Sequence, residues 1–208
     1  MGSCEVTERE GDRMFLPRQN FPGWLGEAGA AGLLDYALAN EARFAPARLT
    51  GSMAPTTDPS VRASLVLDDL AAHRAPLEAR IRATLPRLDP ALGRLDGEPK
   101  AITLELVAHG DGAHFLPHLD TVTGPGAADR KGRRRFSLIY YLHRQPRGFT
   151  GGSLRFYSLS GDAWEDVEPR HDLMVAFPSW AMHSVERVEV ASRAFADSRF
   201  ALNIWIYD

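Results

Sequence analysis

The first half of the chain carries apolar residues at the spacing of amphipathic helices. One such run extends from Trp24 to Phe44 and predicts a helix, most clearly over 30–43. A second run, from Leu77 to Leu88, repeats its apolar residues on one helical face and predicts another helix. Residues 45–60 contain three prolines, a glycine and a Ser/Thr cluster, so they predict a loop between the two helices.

After Lys100 the pattern changes to the short period of β-strands. Apolar and polar residues alternate along 101–109 and along 153–157, and each alternation indicates a strand with one buried face. The segment 136–143 is apolar almost throughout, which favours a strand covered on both faces. Turn sequences separate these segments from two further candidate strands, 173–177 and 200–207.

These elements predict an α+β fold in a single domain, 1–208. About seven or eight short strands in the C-terminal half are typical of a sandwich or jelly roll. We therefore expect a jelly-roll core over 101–208, with helical support from 15–100 packed on one side. Residues 1–14 are expected to form a disordered leader.

The composition is that of an ordinary globular protein of 208 residues, with 44% hydrophobic residues, 25% charged residues and a net charge of -3. No stretch approaches the roughly 18 consecutive apolar residues that a membrane span requires, and the polar N-terminus lacks the apolar run of a secretory signal. Cys4 is the single cysteine, so an internal disulfide is excluded. We expect a cytoplasmic protein with no membrane partner, and the slightly negative charge disfavours a nucleic-acid partner. The oligomeric state is not predicted.

The segment HFLPHLD ends in an H-x-D pair, His118 and Asp120. Residues two apart in an extended strand point to the same face, so an imidazole and a carboxylate can bind one metal ion there. His183 is the best candidate for a third ligand, because it follows the apolar run 173–182. Two histidines and one carboxylate leave coordination positions open, which suits iron(II) enzymes. Zinc is the alternative metal, and the other histidines can also supply a ligand: His73, His109, His114, His143 and His171.

An arginine begins the apolar segment 199–207. The Arg199 guanidinium is costly to bury unless it meets an anion, and its planar fork matches a carboxylate at two points. Tyr140, in the segment SLIYYLH, can place a phenol beside the same carboxylate. Asn203 shares the face of Arg199 by the period-two rule. The alternative is that Arg199 begins its strand in solvent and that Tyr140 is an ordinary core aromatic.

The order of these elements resembles the prolyl 4-hydroxylase-like branch of the iron(II)/2-oxoglutarate dioxygenases over roughly 100–208. The matching motifs are H-x-D (His118 to Asp120), I-Y-Y-L (139–142), G-G-x-L-R (151–155), DVEPRHDLMVAF (166–177), the distal His183, and R-x-A-x-x-x-W (Arg199 to Trp205). The resemblance implies a double-stranded β-helix with iron(II) bound by His118, Asp120 and His183 as the catalytic centre. It also implies 2-oxoglutarate and dioxygen as co-substrates, stimulation by ascorbate, and a distal carboxylate held by Arg199 with help from Tyr140.

The chain departs from the family pattern at two positions. Where the family often has a tyrosine upstream of the H-x-D pair, this chain has His109. His109 can donate an equivalent hydrogen bond to 2-oxoglutarate, or it can be a surface residue. The family's basic residue often lies nearer the distal histidine, which makes Arg193 a rival of Arg199. We prefer Arg199 because it enters a strand, whereas Arg193 lies in a polar loop.

The activity implied by the resemblance is oxidative decarboxylation of 2-oxoglutarate coupled to hydroxylation of a substrate C–H bond. A prolyl residue in a protein or peptide is the first choice of substrate. The alternatives are a free amino acid or other small molecule, and a non-catalytic cupin-like module that only binds metal. Candidate substrate residues are Arg62, Arg134, Trp180 and Trp205. The basic segment 121–135 is interpreted as a solvated loop or as a lid that recruits an acidic or peptide substrate.

Overall fold

The computed structural model of the protein describes residues 14–49, 57–121 and 132–208. Most of the expected leader, the middle of the expected loop at 45–60 and most of the basic segment 121–135 lie outside the described residues. The hypotheses of a leader and of a lid therefore stay predictions.

The described residues form two α-helices and thirteen strands. In chain order these are β1 Gln19–Pro22, α1 Glu27–Ala39, β2 Ala45–Pro46, β3 Leu65–Leu67, α2 Arg74–Thr84, β4 Ala101–His109, β5 Phe115–His118, β6 Arg134–Leu142, β7 Thr150–Gly151, β8 Leu154–Tyr157, β9 Trp164–Val167, β10 Leu173–Pro178, β11 His183–Val185, β12 Val188–Glu189 and β13 Arg199–Tyr207. Both predicted helices are present but shorter than expected. Short 3₁₀ turns, Glu41–Arg43 and Leu85–Arg87, take the place of their last residues.

The strands form two main antiparallel sheets. The larger sheet has the order β1-β10-β6-β13-β4-β3-β2 and the smaller sheet has the order β5-β11-β8-β9, while β12 and β7 form a separate pair. Three strands of the larger sheet come before residue 100, so the sheet extends beyond the expected core range of 101–208. Those strands are two to four residues long, which is too short for a period-two pattern to be recognised in the sequence.

The two central strands, β6 and β13, are buried on both faces. On one face, Leu138 and its neighbours join a cluster with the helices, which includes Ile81. On the other face, Ile139 and Ala201 join a cluster with residues of the smaller sheet. The expectation that 136–143 is covered on both faces is confirmed. Burying each large aliphatic side chain stabilises the fold by about 1.5–3 kcal/mol relative to exposure. The two sheets therefore pack face to face, and the helices cover the outer face of the larger sheet.

Each helix packs on the larger sheet through one face. The buried residues are Ala30, Leu33, Leu34 and Ala37 in α1, and Leu77, Ile81 and Thr84 in α2. The Trp24 indole, just before α1, donates a hydrogen bond to the Thr84 hydroxyl at 2.9 Å and so ties the helices together. Among the described residues, no helix is long and apolar enough to cross a bilayer.

Candidate active site

The three predicted metal ligands meet at one edge of the smaller sheet. His118 is the last residue of β5, and its register partner His183 is the first residue of β11. The Nε2 atoms of both histidines lie 3.8 Å from an oxygen of the Asp120 carboxylate. One ligand atom from each residue lies within 4.8 Å of the other two, and no second group of this kind occurs in the part of the chain that the structure describes.

Asp120 reaches the metal site from a bend rather than from a strand. Because β5 ends at His118, the expectation that both residues of the H-x-D pair lie in one strand is wrong. The Asp120 amide donates to the Ser179 carbonyl at 3.0 Å. The Ser137 hydroxyl donates to Oδ2 of Asp120 at 2.6 Å, so the Ser179 hydroxyl is the donor in its 2.9 Å contact with Ser137. These bonds hold the carboxylate beside the two imidazoles.

Both histidines present Nε2 to the site. Nδ1 of His118 lies 2.8 Å from the Leu116 carbonyl and Nδ1 of His183 lies 2.8 Å from the Ala181 carbonyl. A carbonyl can only accept, so Nδ1 of each histidine carries a proton and Nε2 is the atom left to bind a metal. Burial and the neighbouring His183 lower the pKa of His118 to about 3. Burial raises the pKa of Asp120, but the two imidazoles and the hydrogen bonds to the carboxylate lower it further than burial raises it. Two imidazole Nε2 atoms and one carboxylate form a donor set for a divalent cation.

Arg199 is buried, with 1% of its surface exposed, on the face of β13 that meets the smaller sheet. Its Nη1 donates to Nδ1 of His109 at 3.1 Å, and its guanidinium lies 4.9 Å from the centre of the Tyr141 ring. Among the described residues, its Nε and Nη2 have no hydrogen-bond partner, and neither has the Tyr141 hydroxyl. Burial lowers the pKa of Arg199 and raises the pKa of Tyr141 to about 12. Arg199 therefore does not begin its strand in solvent, and it presents buried donors that lack an acceptor.

Tyr140 does not lie beside Arg199, so the prediction that its phenol shares a carboxylate with Arg199 is wrong. Its side chain lies on the opposite face of β6, in the cluster with the helices, where its hydroxyl donates to Oδ1 of Asp172 at 3.0 Å. Tyr141 takes the expected place, because it pairs with Ala201 on the face that carries Arg199. The I-Y-Y-L motif contains both tyrosines, and only the packing of the sheets decides which one faces the site.

Two further residues shape the surroundings of Arg199. His109 lies opposite Arg199 on β4, where burial and then the Arg199 charge lower its pKa well below the ordinary value. His109 is therefore neutral and accepts from the arginine. A Cβ on Gly152 would lie 2.7 Å from Cδ of Arg199 and 2.9 Å from Cγ2 of Val188. The glycine of the G-G-x-L-R motif thus leaves the room that the buried arginine occupies.

The rival arginine lies away from the site. The Arg193 side chain is 83% exposed and lies 3.6 Å from Asp111. Arg62, Asn203 and Trp205, in contrast, line a small cavity of about 30 Å³ beside the three ligands. These three predicted residues therefore lie beside the metal site.

A glutamate in the wall of this region was not singled out in the sequence. Glu105 pairs with Asn203 in the register of β4 and β13, and its Oε2 is buried without a hydrogen bond. Nη2 of Arg62 lies 3.5 Å from that oxygen. The alternation along 101–109 shows that Glu105 is on the less apolar face, but only the strand register shows that this face is the one with the metal.

Arg134 and Trp180 lie on the other side of Asp120. Nη1 of Arg134 donates to the Asp120 carbonyl at 3.1 Å, and its guanidinium lies 4.6 Å from the Trp205 ring. Trp180 is 53% exposed and lines a separate cavity together with Arg134. Arg134 thus contacts the metal ligand through its backbone, whereas Trp180 belongs to the outer surface.

The fold and the site together define a 2-oxoglutarate-dependent type of oxygenase. The chain belongs to the 2OG-Fe(II) oxygenase superfamily, whose family model matches residues 104–207. The resemblance seen in the motifs is thereby confirmed. A curated relative, an "Uncharacterized PKHD-type hydroxylase" of Synechocystis sp. (strain ATCC 27184 / PCC 6803 / Kazusa), is 32% identical over 141 residues. The match covers 62% of this chain and 44% of that protein, so it spans less than half of the relative's length.

Solved structures with a similar fold include prolyl hydroxylases. A Trichoplax adhaerens prolyl hydroxylase, in complex with a peptide fragment of the hypoxia inducible factor oxygen degradation domain, gives a TM-score of 0.68 at 19% identity, covering 93% of this chain and 84% of that one. A Pseudomonas putida prolyl-4-hydroxylase gives 0.63 at 21% identity, covering 92% of each chain. At these identities the likeness shows the fold.

Proposed function

We propose that the protein is an iron(II)- and 2-oxoglutarate-dependent dioxygenase that hydroxylates a prolyl residue in a polypeptide. The observation that carries the proposal is the open edge of the Arg199 guanidinium, Nε and Nη2, which lies with the Tyr141 hydroxyl on the face of β6 and β13 that also lines the metal site. The same edge of Arg155 holds the Asp166 carboxylate at 2.8 and 2.9 Å. Arg199 is thus equipped to bind a carboxylate that none of the described residues supplies.

The residues present fit iron(II) and 2-oxoglutarate. His118, Asp120 and His183 would hold the metal and leave other coordination positions open. Arg199 and Tyr141 would bind the distal carboxylate of the co-substrate, with His109 fixing the arginine. When bound, iron and 2-oxoglutarate supply the oxidative decarboxylation that activates dioxygen for C–H hydroxylation. The protein residues bind and orient the co-substrate and exclude water. A catalytic zinc site does not require a carboxylate-binding arginine beside it. Arg199 is a buried cation whose open edge matches a carboxylate at two points, so it favours iron(II) with 2-oxoglutarate over zinc.

The substrate is proposed from three supports. The curated relative is described as a PKHD-type hydroxylase, and the similar structures include prolyl hydroxylases, one of them with a bound peptide fragment. Arg62 and Trp205 line the cavity beside the metal and are proposed to contact the substrate, while Asn203, which lines the same cavity, is proposed to contact 2-oxoglutarate. We further propose that the two facing sheets form a double-stranded β-helix and that ascorbate stimulates turnover.

Succinate formation tests the enzyme against the non-catalytic cupin-like module. Purified protein with iron(II), ascorbate and 2-oxoglutarate should release succinate without added substrate, and His183→Ala should abolish that release because a metal ligand is lost. His73→Ala is the matched control, since it removes a histidine from the helical side. Full iron-dependent consumption of 2-oxoglutarate by His183→Ala, or tight metal binding by the wild type without any turnover, would contradict the proposal.

Mass spectrometry then separates a polypeptide substrate from a small one. Proline-containing peptides and free amino acids are incubated in parallel, and the gain of one oxygen is followed. We expect the gain on a prolyl residue within a peptide. A gain on a free amino acid alone would favour the small-molecule alternative and leave the dioxygenase assignment in place.

A further inference from the structure

Two surface cavities outside the metal pocket adjoin each other at Gly93 and Phe136. The outer one, of about 340 Å³, lies where the turns after α2 meet β6. The inner one, of about 300 Å³, reaches Thr121, the residue after Asp120, and the exposed Trp180. Together they form a continuous depression whose inner end is at Thr121, next in sequence to the metal ligand Asp120. We call it the arginine groove, because its walls include Arg82, Arg94, Arg133, Arg134 and Arg135.

The arginine groove carries an excess of positive charge. Counted over the described residues, its lining includes five arginines and one acidic residue, Glu98. Arg82 is paired with Glu98 at 2.9 Å, and Arg135 is paired with Asp208 at 3.1 Å. Arg134 donates to neutral oxygens instead, the Tyr207 hydroxyl and the Asp120 carbonyl.

Two of the arginines are exposed and unpaired. Arg94 and Arg133 make no ion pair with a carboxylate within the part of the chain that the structure describes. Together with Arg134 they leave three cationic side chains uncompensated along one depression. Charge complementarity therefore selects an anionic partner for this surface.

The apolar part of the arginine groove selects the kind of anionic partner. Its outer half is lined by Leu85, Leu88, Leu95 and three prolines. The φ angles of the prolines are fixed by their rings, so this part of the surface is preformed. At the inner end, Trp180 is 53% exposed, and tryptophan and arginine are both enriched among the residues that contribute most of the energy of protein interfaces. A polypeptide offers acidic and apolar side chains in turn, whereas a phosphodiester backbone has no aliphatic group for the leucine- and proline-lined half.

We propose that the arginine groove is a docking surface for an acidic segment of the polypeptide substrate, which it holds beside the metal site. Acidic side chains meet Arg94 and Arg133, and an apolar side chain packs on Trp180. This inference rests on the proposed function, because it assigns the substrate class of that same site.

The test uses a fluorescein-labelled peptide of glutamate, leucine and serine repeats, which contains no proline and so does not need the metal pocket. Its binding to the full chain is followed by fluorescence anisotropy, beside a lysine, leucine and serine peptide and labelled oligothymidylate. The groove variant is Arg94→Glu/Arg133→Glu. The matched control is Arg170→Glu/Arg193→Glu, which changes the net charge equally at exposed arginines outside the groove. Succinate release without substrate is measured on every protein.

The acidic peptide should bind the wild type and the control alike, more weakly at high salt, and about tenfold or more weakly to the groove variant, since two attractive contacts become repulsive. All proteins should release succinate at the same rate. Equal peptide binding by the groove variant, no binding to the wild type, or tighter binding of oligothymidylate than of the acidic peptide would overturn the docking surface. Succinate release that is absent from the wild type while the peptide still binds would overturn the proposed function and leave the groove standing.

Discussion

The two faces of the larger sheet differ in whether their buried polar side chains are hydrogen-bonded. On the face covered by the helices, the Tyr140 hydroxyl is satisfied by Asp172. On the face toward the smaller sheet, the next residue, Tyr141, has a buried hydroxyl that forms no hydrogen bond with any residue that the structure describes. Among the described residues, the register places every buried side-chain atom of the sheet that lacks a hydrogen bond on this second face: one or more atoms of Thr103, Glu105, Tyr141 and Arg199.

This difference separates the part of the sheet that builds the fold from the part that binds ligands. Buried polar groups are normally hydrogen-bonded, so each exception calls for an explanation. Donors cluster at Arg199 and Tyr141, where an anion would satisfy them. An acceptor, Glu105, lies further along the same face beside the proposed substrate cavity. Substitutions on the two faces should therefore have opposite consequences for stability and for turnover.

The largest expected effect is that of Arg199→Met. The KM for 2-oxoglutarate should rise about a hundredfold or more, because truncating one partner of a buried charge pair costs about 2–5 kcal/mol. The thermal stability of the iron-free protein should be unchanged or higher, since an unpaired buried cation is replaced by an apolar side chain of similar length. Succinate release at varied 2-oxoglutarate concentration and thermal unfolding measure the two effects.

Arg155→Met is the control for this variant. It removes the arginine that holds Asp166 through the same guanidinium edge at a surface position, and it should leave the KM for 2-oxoglutarate unchanged. If Arg199→Met kept the wild-type KM, the assignment of Arg199 to the co-substrate would be wrong.

A smaller pair of effects compares the two tyrosines directly. Tyr141→Phe should raise the KM for 2-oxoglutarate about tenfold, since a hydrogen bond to a charged group contributes about 1.5–3 kcal/mol, and should leave the melting temperature unchanged. Tyr140→Phe should lower the melting temperature by a few degrees, because Asp172 loses a buried donor worth about 1–3 kcal/mol, and should leave the KM unchanged. Initial rates and thermal unfolding of both variants would decide, and exchanged phenotypes would reverse the comparison.

The sequence predicted the long elements and the metal ligands better than it predicted which face of the sheet each side chain occupies. The strand over 101–109 has the expected bounds, Ala101–His109, because nine alternating residues give a clear period. Strands β5 and β11, which carry His118 and His183, are only four and three residues long, and their pairing is a tertiary event. The local sequence pattern identified the ligands by their residue types, but it did not predict the bend that positions Asp120.

The choice between Tyr140 and Tyr141 shows why the rest could not be predicted. From Phe136 to Leu142, strand β6 is buried on both faces and largely apolar, so Ser137 is the only small polar residue there that marks the face of the site. Which tyrosine meets Arg199 depends on the pairing of Tyr141 with Ala201 and on the sheet that covers that face. Glu105 was overlooked for the same reason, since its place near the metal follows from the register of β4 with β13.

The smallest expected effect concerns His109 and the pH dependence of stability. Burial, followed by the Arg199 charge, lowers the pKa of His109 well below the ordinary value, so the folded protein binds fewer protons at this residue than the unfolded chain. The resulting stabilisation is present above about pH 6.5 and is lost as the pH falls toward the folded-state pKa, by about 1.4 kcal/mol per pH unit.

His109→Gln keeps an acceptor for Arg199 but cannot titrate, so its free energy of unfolding should decline less steeply than that of the wild type between pH 6.5 and pH 5.5. Denaturant unfolding of the metal-free proteins measures this, with His73→Gln as the control from the helical side. Parallel pH profiles for the wild type and His109→Gln would contradict the prediction, because they would show that protonation of His109 does not destabilise the folded protein.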